Sequence, residues 1–507
     1  MVKYVYLPLS QCIKNSKFSS YDEKIIMLHV LSAGFQWVNF EPCLKIPFPM
    51  KSHLRFFPLA ILIVVLSSCL KQEDPVEYLP TIQSPTARAN DVTWSWMEEY
   101  LKVEKNLSGF RPAPTCRALA YIHMGGYETV VPGMEKYRSL SYVINGFPQV
   151  DLRYRVDQID WNIALNAYYA RTFKFFLYGS TQHDIHEMET LESEQLAELS
   201  PSVPQGIINT SIEWGQEVAN AIIAYSETDR EGADQVRIAR PSDYFPPVGD
   251  GLWIPTTPDF GSAMFPYWGK VRTFAALPSD LVSLPPTAKY STDPDSKYYK
   301  ENLEVDEAVK NETQESHWVA EFWSDDLTGM TFSPPARIFA IANQVISIEK
   351  LNLEETLHLY CVMGIAINDA SVACWKSKYV YNTERPETYI RKFIDPDFKS
   401  ILGEAIGTPG MTPAFPGYPS GHSTFAGVSW RILEHFMGAQ YEFTDHCHFG
   451  RTEFDGYPRT YSSWLQMAEE NAYSRIPLGV HIRQDCVEGL RLGNAIAQRS
   501  LDLELAK

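Results

Sequence analysis

Several things are scarce in this chain, and each scarcity excludes something. Cysteine is rare, with 8 in 507 residues and no CxxC pair, which argues against a structural zinc site or a disulfide scaffold. Beyond Cys69 the count is odd: Cys116, Cys361, Cys374, Cys447 and Cys486. One disulfide stays open for an exported protein, and Cys361 and Cys374, in apolar helical surroundings, suit buried thiols. Basic charge is also short. Lys and Arg total 44 against 62 Asp and Glu, a net charge of −18. That balance excludes nucleic acid as a partner and requires any anion site to be a local positive pocket. No stretch after residue 69 reads as long and apolar enough to span a membrane. Repeats, low-complexity tracts and strand-like alternation are lacking too. What remains is an ordinary globular balance, 45% hydrophobic and 21% charged, in a chain long enough for a large core or two units.

One apolar run does stand out near the start. Lys51, His53 and Arg55 precede Phe56–Leu66, and Leu66-Ser67-Ser68-Cys69 follows. A basic lead, a short apolar stretch and small residues at its end describe a secretory signal rather than a spanning helix. The bland alternative is a buried core strand. The ending resembles a bacterial lipobox, which makes Cys69 the expected lipidated residue. Residues 1–49 then read as an upstream extension missing from the mature protein, 50–69 as the signal, and 70–90 as a polar tether. The expected location is exported, lipid-anchored to a bacterial envelope membrane, with no other membrane attachment.

From Asp91 onward the patterning is helical. Helices are expected over Asp91–Glu104, Ala118–Thr129, Asp157–Leu177, Leu191–Leu199 and Ile207–Ser226. Arg240–Ser296, rich in Pro, Gly, Asp and Ser, reads as a long ordered loop region. Helices resume at Val305, then Glu315–Asp325, from Pro334-Pro335, Leu353–Lys378, Ser423–Met437 and Ser474–Leu501. The fold class is all-α, with an N-terminal half over 91–310 and a C-terminal half over 311–507.

Chemistry concentrates in three motifs: Lys378 with Arg385-Pro386, Pro419-Ser420-Gly421-His422, and Ser474-Arg475 with His481 and Asp485. Singly each has a bland reading, as a solvated charge, a helix cap or a core histidine. Jointly they describe a cage for a dense tetrahedral oxyanion such as phosphate or vanadate. Arg385 and Arg475 offer planar forks and Lys378 a point charge. Ser420 and Gly421 lie at a helix start, where backbone amides favour an anion. His481 can bind the central atom through one ring nitrogen while Asp485 holds the other. His422 is free for proton transfer. His435, His446 and His448 complete no metal site and read as structural.

These motifs resemble, without substitution, the superfamily of type-2 phosphatidic acid phosphatases and vanadium-dependent haloperoxidases. The resemblance implies two packed helical bundles with long ordered loops. It also implies oxyanion contacts from Lys378, Arg385, Ser420, Gly421 and Arg475, His481 as the axial ligand, and His422 as the acid-base residue. The motifs do not separate the two activities, since vanadate at a histidine mimics the phosphoryl-transfer transition state. Three features favour the haloperoxidases: the long helical region before the first motif, the lack of several spanning helices, and further matching residues. Trp375 and Phe415 match positions walling the halide side, and Asp326, in Glu321–Asp326, matches an acid paired with the second arginine, here Arg475. Ordinary core packing would also account for those aromatics. The implied enzyme carries vanadate and oxidises iodide or bromide with hydrogen peroxide to hypohalous acid. The alternatives are a soluble exported acid phosphatase with a phosphohistidine at His481, and a surface lipoprotein with a decayed site.

Overall fold

The computed structural model describes residues 84–507, apart from residue 88. The upstream extension, the signal-like segment and Cys69 lie outside the described residues. Of the segment read as a tether, the described end is docked: Pro85 is buried and Thr86 donates to Glu354 Oε2 at 3.3 Å.

The described chain is all-α apart from one short hairpin, and falls in one compact unit. The first helices are α1 (Asp91–Glu104), α2 (Ala113–Val130), α3 (Trp161–Phe176), α4 (Gln182–Leu199), α5 (Gln205–Glu227) and α6 (Arg230–Arg237). α3 packs on α2, α4 and α5. Next come α7 (Lys297–Lys310), α8 (Gln314–Phe322), α9 (Pro334–Glu349), α10 (Leu353–Tyr381), α11 (Pro386–Phe393) and α12 (Gly421–Met437). The antiparallel hairpin β1 (Phe443–Asp445) and β2 (Arg459–Tyr461) precedes α13 (Trp464–Tyr473) and α14 (Arg483–Leu501).

α10 is the axis of the molecule. Asn352 starts it with a capping box to Glu355, and Asn382 ends it in the left-handed conformation at φ 52°. It packs against α2 on one side and against α12 and α14 on the other. Its length and composition would suffice to cross a bilayer, which corrects the expectation that no stretch after residue 69 does so. It is nonetheless a core helix: 94% of its most apolar window is buried inside the protein. Among the described residues it is alone in passing that test.

The region 240–296 is an ordered loop pinned onto α10. Asp369 of α10 accepts the backbone N–H groups of Phe274, Ala275 and Ala276, and Trp268 donates to Ser371 Oγ at 3.0 Å. Trp253 and Trp268 are buried.

Several boundaries differ from expectation for local reasons. α4 begins earlier, at Gln182, because the Thr181 hydroxyl and Asp184 form a capping box before it. α7 begins at Lys297, where Ser296 caps Tyr299 N. Of the single helix expected over Ser474–Leu501 only the part from Arg483 forms, and residues 474–482 make an elbow between α13 and α14. Pro477 lacks a backbone donor and disfavours helix at Ile476, while Gly479 takes φ +85°. A Cβ at Gly479 would also meet Ser400 Cα at 2.9 Å.

Candidate active site

Five segments deliver the motif residues to one place. Lys378 lies in the last turn of α10, and Arg385 is the cap residue before α11, with Pro386 as the first helical residue. Ser420 caps α12, its Oγ accepting from Ser423 N at 3.3 Å, so Gly421 and His422 form the first turn. Arg475 and His481 sit on the elbow, and Asp485 in the first turn of α14. α14 lies tight on α12, because a Cβ at Gly489 would stand 2.6 Å from Ser420 O. Ser420 N in turn donates to Asp485 O at 2.9 Å. The elbow closes on itself: His481 N donates to Arg475 O at 3.3 Å.

His481 has both ring nitrogens defined by their partners. Arg385 Nη1, which can only donate, lies 3.1 Å from Nε2. Nε2 therefore carries the lone pair and Nδ1 the hydrogen, which is donated to Asp485 Oδ2 at 3.0 Å. Arg385 is further fixed by donating from Nε to Phe415 O and from Nη1 to Val480 O, both at 2.9 Å. Lys378 donates from Nζ to the carbonyls of Pro416 and Gly417, each at 2.9 Å. Three donors with two used leave Lys378 one to give.

Across the site, Arg475 Nη2 donates to Asp326 Oδ2 at 2.6 Å, the pairing expected from the sequence. Its Nη1 reaches Trp323 O at 3.4 Å, and its buried Nε has no partner. His422 Nε2 lies 2.8 Å from Ser324 O and 3.8 Å from Asp326 Oδ2. Trp375 and Phe415 form an aromatic wall with ring centroids 5.2 Å apart. Trp375 Nε1 is buried without a partner.

These groups border a cavity of about 320 Å³, lined by His422, His481, Arg475, Gly421, Trp375 and Phe415. Lys378, Arg385 and Ser420 are fully buried and stand behind that lining. The motif residues thus converge, but in two layers.

The electrostatics are those of crowded cations. Burial, Arg385, Lys378, Arg475 and His422 all push His481 well below the ordinary histidine range. Burial lowers His422 to about 4, with Arg475 adding to it. Burial likewise lowers Arg385 to about 10 and drives Lys378 down. Asp485 is driven up by burial, with Lys378 and Arg385 opposing. Two carboxylates face this cluster, and neither offsets it fully. The donor set suits an added oxyanion. Among the described residues no group of three or more His, Cys, Asp or Glu gathers as a cation site would.

Sequence reasoning missed a second buried cluster behind Asp326. Arg337 of α9 pairs with Asp325 Oδ2 at 3.0 Å and Asp445 Oδ2 at 2.6 Å. His448, read as structural, stands 3.1 Å from Asp325 Oδ1. The available signal was Arg337 itself, a lone arginine in the otherwise apolar run Pro334–Ala342. The remaining cysteines are free thiols, with Cys361 and Cys374 buried.

Comparison with known proteins adds to this geometry. Residues 358–506 match the VCPO second helical-bundle domain. The chain is 23% identical over 274 residues to vanadium chloroperoxidase of Curvularia inaequalis, covering 46% of this chain and 44% of that one. The matched stretch therefore spans less than half of that relative. Among solved structures, the crystal structure of the first bacterial vanadium-dependent iodoperoxidase superposes with a TM-score of 0.70 at 25% identity, over 82% of this chain and 97% of that one. A holo-type bacterial vanadium-dependent chloroperoxidase superposes with a TM-score of 0.61, over 79% and 93% of the two chains. At 14% identity that second likeness is one of fold.

Proposed function

We propose, for a chain that belongs with the vanadium haloperoxidases in its helical-bundle fold and its C-terminal domain, that the cavity binds vanadate and that the enzyme oxidises iodide or bromide with hydrogen peroxide to hypohalous acid. The observation that carries this reading is the His481 Nε2 lone pair, oriented by Asp485 and set among Arg385, Lys378 and Arg475.

The residues fit the cofactor. Arg475 Nε is buried and unpartnered, Lys378 has an unused donor, and the cations outweigh their counter-ions. Lys378, Arg385, Arg475, Ser420 and Gly421 would hold the oxyanion, and His481 would ligate vanadium. Bound vanadate supplies a Lewis-acidic centre that activates hydrogen peroxide without changing oxidation state.

The chain's own residues do the rest. Arg385 donates to His481 Nε2 in this structure, so ligation requires that hydrogen bond to be given up to the anion. Asp485 keeps the proton on Nδ1, which leaves the Nε2 lone pair as the ligating one. His422, neutral at working pH, accepts a proton from peroxide and returns it to the leaving oxygen. Lys378, whose charge burial disfavours, would be stabilised in its charged form by an arriving anion and would polarise the bound substrate. Trp375 and Phe415 offer an apolar, polarisable face to a large halide.

Purified protein, apo and vanadate-loaded, is to be assayed with peroxide and iodide or bromide beside a chromogenic phosphate ester. Vanadate-dependent halogenation without phosphate release is expected. Ester hydrolysis that vanadate inhibits, with no halogenation, would replace this reading with an acid phosphatase using His481 as nucleophile. The segment ending at Cys69 supports export with a lipid anchor. Palmitate labelling that survives Cys69→Ser would remove that part.

A further inference from the structure

The two ring nitrogens of His422 face different surroundings. Nε2 lies 2.8 Å from the Ser324 carbonyl, which can only accept, so Nε2 carries the hydrogen. Nδ1 is then the lone-pair nitrogen, and His422 borders the cavity. The acceptor that makes this choice is not on a helix. Ser324 belongs to a short strap running from Trp323, at the end of α8, to Asp326. That strap meets the site three times: Trp323 O accepts from Arg475, Ser324 O from His422, and Asp326 pairs with Arg475.

Asp325 holds the strap in shape. Its φ is 43°, a left-handed conformation that few residues other than Gly, Asn and Asp adopt readily. Its carbonyl accepts from Arg111 Nη2 at 2.7 Å. Its carboxylate accepts from Arg337 Nη1 at 3.0 Å and Thr331 Oγ1 at 3.3 Å, and His448 Nε2 packs against both Asp325 Oδ1, at 3.1 Å, and Arg337 Nη1. Arg337 also donates to Phe322 O at 2.7 Å and lies over the rings of Phe322 and Trp323, at 4.5 and 4.3 Å. Asp445 anchors its other fork. Asp325, Arg337, His448 and Asp445 are all buried. Nothing in the anion chemistry uses this cluster, yet it fixes the backbone that His422 and Arg475 bond to.

We propose that the buried Asp325–Arg337–His448 cluster positions His422, by locking the left-handed turn that aims the Ser324 carbonyl at Nε2 and so makes Nδ1 the nitrogen that exchanges protons with the cavity. The proton-transfer part rests on the function proposed above; the positioning part does not. These are positioning residues, acting through Ser324, and none needs to touch substrate.

The test reads the tautomer directly. Full-length protein labelled with 15N-histidine gives ring-nitrogen shifts that distinguish Nε2–H from Nδ1–H, and His422→Gln identifies the His422 signals. Wild type is expected to show a single Nε2–H form at neutral pH. Asp325→Ala, which disfavours the left-handed turn and removes the grip, is expected to give mixed tautomers. It should also lower kcat about 10- to 100-fold, with KM for peroxide and Kd for orthophosphate within about twofold of wild type. Asp325→Asn, which tolerates the turn and keeps an acceptor, is expected to restore both the tautomer and most of the rate. Wild-type His422 protonated on Nδ1 would overturn the proposal even if no variant folds. So would a folded Asp325→Ala that keeps the Nε2–H form, or one that loses it without losing rate. A wild-type enzyme with no halide oxidation would strike the proposed function and leave the tautomer result standing.

Discussion

Two buried charge clusters lie on either side of the strap at 323–326, and they are built on opposite plans. Around Arg337 the charges close on themselves. Asp325 and Asp445 are held below the ordinary carboxylate range mainly by Arg337 against the effect of burial, and the arginine is raised by both. Around His481 the shifts run the other way, and Lys378, Arg385, His422 and His481 are all lowered. Residue types are similar, and only the ratio of anions to cations differs. The arginine of the first cluster already has its carboxylates as folded, whereas the cations of the second, on the function proposed above, await an incoming anion. A buried charge without its partner is a poor stabiliser and a good receptor.

The sharpest way to separate the clusters is through activity. His481→Ala is expected to abolish vanadate binding and turnover together, read by titration calorimetry and halogenation assay. His422→Ala should keep vanadate binding and lose about 100-fold or more in kcat; full turnover would remove its assigned role. Stability makes the next cut. Arg337→Met strands two buried carboxylates and is expected to lose about 3–5 kcal/mol in calorimetric unfolding. Lys378→Met in anion-free protein should change stability by within about 1 kcal/mol, because relief of desolvation offsets two lost carbonyl contacts. Equal losses in the two variants would erase the distinction.

Ligand linkage gives a smaller effect. Orthophosphate at 100 times its Kd should stabilise the wild type by about 2.7 kcal/mol, and Arg475→Met should lose most of that gain. A third site tests burial with neither ion pair nor anion. His123 is buried between Phe339 and Tyr360 with both ring nitrogens unpartnered, and burial lowers it to about 3. Its folded pKa lies below the unfolded value, so its contribution is full above about pH 6.5 and is lost as pH falls toward 3. The stability gap between His123→Phe and wild type should therefore widen by about 2 kcal/mol from pH 8 to pH 5.

Much of the site could be read from the chain because its chemistry depends on residue identity at fixed spacing. Lys378, Arg385, His422, Arg475 and His481 could be named before their positions were known, and the Arg475–Asp326 pair with them. The helices were legible where an apolar stripe runs long, as in α1, α5 and α10. Short helices such as α6, α11 and α13 carry too few turns to show a period. The elbow between α13 and α14 was hidden inside a helical pattern that Pro477 and Gly479 interrupt. The Arg337 cluster was illegible for a different reason. Its partners Asp325, Asp445 and His448 lie on segments far apart in sequence, and no local spacing announces a pairing made only by the fold.

The strap has a consequence for what counts as a working unit. Every residue proposed above to hold the anion lies between Lys378 and His481, within the stretch that matches a recognised domain. The groups that orient His422 and neutralise Arg475 come from residues 323–326, upstream of that stretch. A C-terminal bundle transplanted alone would inherit the receptor without the setting that governs its protons.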